Sequence, residues 1–116
     1  MQNLEQKRAA HALAYADSIT EGCGGGDPAG VVKKVPAMII SSGILSAMAF
    51  AKEKKHGYES VFLAFINYSD DIYAQDLSGA LSELCQMSAG NLRRITTEFM
   101  AYLSYLRRFV SKKDKE

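Results

Sequence analysis

Apolar residues recur every three or four positions through most of this chain, the period of helices that bury one face. The pattern is clearest over the last third. From about Ala89 to Lys112, the residues Leu92, Ile95, Phe99, Tyr102, Leu103, Leu106, Phe109 and Val110 fall on one side. At about 100° per residue, Arg94, Ala101, Tyr105, Arg108 and Lys112 fall roughly opposite, flanked by Arg93 and Arg107. At the other end, Asn3 followed by Gln6 is a capping box for a first helix, which Gly22 would stop. Its stripe is Leu4, Arg8, His11 with Ala12, Tyr15 and Ile19, so Arg8 and His11 pack their stems and keep their polar ends at the margin.

Between these ends the spacing predicts three more helices. One spans about 31–54 on Val32, Val35, Ile39, Ile40, Ala47 and Phe50, and His56-Gly57 ends it. Pro36 and Gly43 lie inside it, at a helix cost of about 3 and 1 kcal/mol respectively. Such a pair implies a bend at one and a close approach at the other, with Pro36 either in the first turn or at a kink. Tyr58 to Asn67 carries Val61, Phe62, Phe65 and Ile66; the run is short enough for a strand, but nothing nearby could pair with it. After a polar turn holding Asp70 and Asp71, a helix over 76–87 opens on Asp76 or Ser78 and carries Leu77, Leu81, Leu84 and Cys85. The fold class is therefore all-α, a compact bundle of about five helices with a long last one. It forms a single domain over 1–116, with a flexible Gly-rich loop at 22–30 and a charged tail at 111–116.

A chain of 116 residues buries roughly two thirds of its unfolded surface and needs no staple. Its two cysteines set no disulfide framework; Cys85 is expected in the packing and Cys23 in the exposed loop. No apolar run approaches the length of a membrane span, and the charged start Met1 to Arg8 has no signal core, so the expected location is cytoplasmic, with no membrane partner.

Net charge is only +1, but it is unevenly distributed. Residues 31–55 hold five basic side chains and one acidic, and residues 91–116 seven and three. Residues 56–90 hold five acidic side chains and no lysine or arginine. Segregated by the fold, these blocks would give a basic face for phosphates and an acidic one for neighbours. The stripe of Arg94, Tyr105, Arg108 and Lys112 places cations beside an exposed aromatic, as on surfaces that meet nucleic acid. The plain counterpart is a solvated helix face with Glu98 nearby. Lys33-Lys34 adds either a second patch or two solvated residues.

No constellation points to catalysis. His11 and His56 have no companions at metal-ligand spacing, and adjacent Asp70 and Asp71 read as turn and capping residues. Gly24, Gly26 and Ala29 match a dinucleotide fingerprint only formally, since they follow a helix and not a strand. The chain is expected not to be an enzyme and to hold neither metal nor cofactor.

Three segments together carry a family resemblance: Asn3-Leu-Glu-Gln-Lys-Arg-Ala, Lys34-Val-Pro-Ala-Met-Ile through Gly43-Ile-Leu to Ala49-Phe, and Tyr105-Leu-Arg-Arg-Phe on the final helix. In that order the chain resembles the small subunit of the type III-B CRISPR effector, the fifth protein of the Cmr series. The resemblance implies a helical, non-catalytic subunit of an antiviral RNA-guided complex. Several copies would stack as a minor filament beside a backbone of RAMP subunits and the large subunit, helping to hold guide RNA and target RNA. The RNA-facing residues it implies are Lys7, Arg8, Lys33, Lys34, Arg94, Arg107 and Arg108. The alternative is a helical adaptor that binds only protein.

Overall fold

Gly43 divides the middle of the chain. In the computed structural model, which describes residues 4–22, 28–54 and 57–114, it has φ +89°, and the helix expected over 31–54 is two helices. The order is α1 (Leu4–Gly22), α2 (Pro28–Ser42), α3 (Ile44–Lys54), α4 (Tyr58–Tyr68), α5 (Leu77–Cys85) and α6 (Ala89–Asp114). The Gly43 amide still donates to the Ile39 carbonyl at 2.8 Å and its carbonyl accepts from Ala47 at 3.1 Å. One residue thus closes α2 and opens α3 while its left-handed backbone turns the chain between them. Among the described residues, nothing lies within 4 Å of where a Cβ would sit on Gly43, so it makes a bend and no close approach. Gly43→Ala is accordingly expected to lower stability by about 1–2 kcal/mol through backbone strain alone. Gly43→Asn should recover part of that loss, since asparagine tolerates this region; thermal unfolding of the two variants checks both statements.

Helix α2 begins earlier than expected, on Pro28 in place of a residue near 31. A proline suits a first turn, where its missing N–H would have no partner. Pro28, Ala29 and Gly30 are therefore helical, as is Gly22 at the end of α1, and the expected loop at 22–30 shrinks from both sides. Pro36 then stands in the helix interior, where it removes the bond to the Val32 carbonyl. The burial of Val32, Val35 and Ile39 on this helix offsets that loss. The Asn3 cap, Cys23 and His56 lie outside the described residues.

The buried side chains form one apolar cluster. Helix α1 contributes mostly small residues, Ala12, Ala16 and Ile19, and lies along α6, which also packs on α2. Leu4, expected on the α1 stripe, is 51% exposed, and Ile40 of α2 is 77% exposed. The short apolar run at 61–66 is helical, and Val61, Phe62, Phe65 and Ile66 are all buried. Its two phenylalanines meet Phe99 of α6: Phe65 stacks at 4.2 Å with planes 14° apart, and Phe62 stands edge-on at 5.0 Å. Asp76 caps α5 by accepting from the Gly79 amide at 2.8 Å. Cys85 is exposed, contrary to its expected packing, because α5 turns Leu77, Ala80 and Leu84 inward and leaves the residue after Leu84 outside. Among the described residues, no helix is long and apolar enough to cross a membrane.

Candidate nucleic-acid interface

The seven candidate cations divide by what the fold places against them. Arg8 is the most tightly held. Its Nε and Nη2 donate to both oxygens of Glu98 at 2.8 and 2.7 Å, a bidentate pair with only 21% and 27% of the two side chains exposed. Tyr68 donates its hydroxyl to the same carboxylate at 2.7 Å. The arginine bond, helped by that of Tyr68, holds Glu98 below the usual carboxylate range. Glu98 in turn raises the Arg8 pKa, while burial and the carboxylate push the Tyr68 phenol up to about 12.

Lys7 and Arg94 are paired more loosely. Lys7 Nζ lies 3.0 Å from Asp70, and Arg94 Nη1 lies 2.8 Å from Asp71, all four side chains well exposed. Lys7 also sits 6.0 Å above the Tyr68 ring. Exposed pairs of this kind are worth roughly 0–1 kcal/mol, so either cation could exchange its carboxylate for a phosphate at small cost. Lys33, Lys34, Arg107 and Arg108 are exposed, and no ion pair engages them among the described residues. They stand on α2 and α6, which pack against each other. Arg107 is nine residues beyond Glu98, about 180° around the helix from it, and so on the flank away from the Arg8 pair.

The acidic block does not form a free face. Asp70 and Asp71 neutralise Lys7 and Arg94, Asp76 caps α5, and both oxygens of Glu83 accept from the Tyr73 amide at 3.2 and 2.9 Å. Only Glu59 of the five lacks such a partner among the described residues. Tyr105, expected as an exposed aromatic, is half-buried against the core, and burial with a hydrogen bond to Glu5 raises its pKa.

His11 anchors a second polar cluster. Its ring stacks on Tyr15 at 4.3 Å with planes 5° apart. Nε2 lies 2.9 Å from the Asn67 carbonyl oxygen and Nδ1 2.7 Å from the Tyr102 hydroxyl. Since the Asn67 oxygen can only accept, Nε2 carries the proton, and in the neutral ring Nδ1 accepts from Tyr102. Burial raises the Tyr102 phenol. These bonds, with the Arg8 pair, lock α1 to α4 and α6. Among the described residues, no three His, Cys, Asp or Glu side chains group to hold a metal.

The pairings within the acidic block join residues up to 63 positions apart, beyond the reach of local spacing. The Arg8–Glu98 pair did leave a trace. Each is a charge at the edge of an apolar stripe, a placement that favours a partner of opposite sign.

Comparison with known proteins agrees with this architecture. No curated protein matches the chain. A crystal structure of a CRISPR-associated Cmr5 family protein from Thermus thermophilus superposes with a TM-score of 0.80, covering 96% of this chain and 97% of that one. At 18% identity this likeness concerns the fold. The model of the family described as CRISPR-associated protein (Cas_Cmr5) matches residues 4–112. The chain therefore belongs to the Cmr5 family and is a small subunit of the type III-B CRISPR Cmr complex.

Proposed function

We propose that this subunit is non-catalytic and cytoplasmic, that it stacks with other copies in a minor filament beside the RAMP backbone and large subunit, and that it helps hold guide and target RNA during RNA-guided antiviral cleavage. The observation that carries the RNA contact is a set of exposed cations on two packed helices that no carboxylate engages among the described residues: Lys33, Lys34, Arg107 and Arg108. Lys7 and Arg94 join them when phosphate displaces Asp70 and Asp71. Arg8 serves mainly to hold α1 on α6. The non-catalytic reading is supported by the engagement of the two best acid–base groups, since His11 and Glu98 both spend their bonding capacity inside the helix packing.

Salt dependence tests this. A surface that neutralises phosphates on a single strand loses affinity with a log–log slope near −0.7 per contact. Complex assembled with the variant Lys33→Ala/Lys34→Ala/Arg107→Ala/Arg108→Ala is expected to retain target RNA more weakly. Its salt slope should be shallower by up to about 3, four contacts at that increment. These exposed substitutions should each change stability by under about 0.5 kcal/mol. A slope identical to that of the native complex would move the assignment to the protein-only adaptor.

A further inference from the structure

A cavity of about 700 Å³ opens between α1 and α4 beneath residues 69–76, within the range of roughly 300–1,000 Å³ usual for small-molecule sites. Aliphatic residues, Leu63, Ile66 and Ile72 among them, line it together with Tyr15, Tyr73, Asn67, Gln75 and three serines. No lysine, arginine, aspartate or glutamate lines it among the described residues. This composition selects its occupant. A phosphate or carboxylate would find no cation there to receive it, and an aliphatic group would make no use of the carboxamides of Asn67 and Gln75, both exposed. A flat, neutral ring with heteroatoms along its edge satisfies both demands, offering a π-face to the tyrosines and donors and acceptors to the amides.

Two groups are already set for such a ligand. The Asn67 carbonyl is taken by His11 at 2.9 Å, which fixes the amide and leaves both its N–H donors for another acceptor. Tyr73 lines the cavity yet is 84% exposed, so its ring stands at the mouth. Its backbone does not move freely: its amide is held by Glu83, Ile72 before it is buried, and Asp71 is tied to Arg94. An aromatic ring left in water on a held backbone is a surface on which a base can stack.

We propose that this cavity binds a nucleobase, supplied either by a free nucleoside or by an unpaired residue of an RNA strand. The site shares no residue with the cations of α2 and α6, and it goes beyond their phosphate contacts. Amide chemical shifts of the 116-residue chain would be followed by NMR during titration with uridine, with adenosine and, separately, with inorganic phosphate. Saturable shifts at Asn67, Tyr73 and Gln75 are expected with a nucleoside, unchanged by added salt, and none there with phosphate. Tyr73→Ala should weaken this binding about tenfold or more, the usual effect of removing an aromatic from a stacked base. A dinucleotide that binds more tightly than its abasic counterpart would identify the strand as the source, whereas equal weak binding of the two beside a saturating nucleoside would identify the free nucleoside. Absence of saturable shifts with every nucleoside, or binding unaffected by Tyr73→Ala, would overturn the site. Either failure leaves the salt-dependent retention of RNA by Lys33, Lys34, Arg107 and Arg108 untouched, so the two proposals fail separately.

Discussion

Phe99→Ala is expected to destabilise the protein by about 4 kcal/mol, within the 3–5 kcal/mol typical of emptying a buried phenylalanine site. Phe99 is fully buried and receives the two α4 phenylalanines, one stacked and one edge-on. Its removal therefore loses transfer energy and leaves a cavity walled by rigid rings that cannot easily collapse. A domain of this size holds only about 5–15 kcal/mol in all, and each kcal/mol moves its melting temperature by roughly 4 °C or more. The expected fall is thus about 15 °C, read by circular dichroism. Phe99→Leu keeps most of the volume and should lose much less. A loss below about 1 kcal/mol for the alanine variant would mean that α4 and α6 do not meet through this residue.

Removal of the Glu98 carboxylate is the second large change. Glu98→Ala is expected to cost about 2 kcal/mol, because it leaves a part-buried arginine and the Tyr68 hydroxyl without their shared acceptor. Arg8→Ala should cost a similar amount. The two losses should not add in the double variant, since the residues share one interaction. Acid gives an independent readout. The folded pKa of Glu98 lies below its unfolded value, which is about 4.3. Its contribution is therefore complete above the unfolded value and disappears as pH falls through the folded one. Native protein should lose stability on acidification more steeply than Glu98→Gln, the two curves converging below about pH 4. Parallel curves down to acid unfolding would show that the pair does not form in solution.

What the sequence made legible follows from which forces act locally. The buried face of α6 could be read directly, because eight apolar residues repeat without interruption over a helix longer than twenty residues. The Gly43 break was visible as a disturbance but not as an end. A glycine in a helix and a glycine between helices carry the same local penalty, and only the packing of α3 on α4 and α5 decides between them. The apparent acidic face misled for a related reason. Asp70, Asp71, Asp76 and Glu83 are near neighbours in sequence, yet each is spent on a different partner, two of them cations from distant helices. The same pairings sort the basic candidates. Composition alone could not distinguish Arg8, enclosed by Glu98, from Arg107 and Arg108, which stand clear of it.

The way α1 is fastened has a consequence for how the chain comes off the ribosome. Its partners on α6 lie about ninety residues downstream: Arg8 waits for Glu98 and His11 for Tyr102. At a synthesis rate of about 5–20 residues per second, the α1 segment precedes the α6 face it packs on by roughly 5–20 s. Its buried face is two alanines and an isoleucine, so little adhesive surface is on display during that interval. A larger apolar face there would strengthen the finished bundle and lengthen the exposure of a surface prone to premature association. The small residues of α1 thus suit a helix whose α6 partner is made long after it.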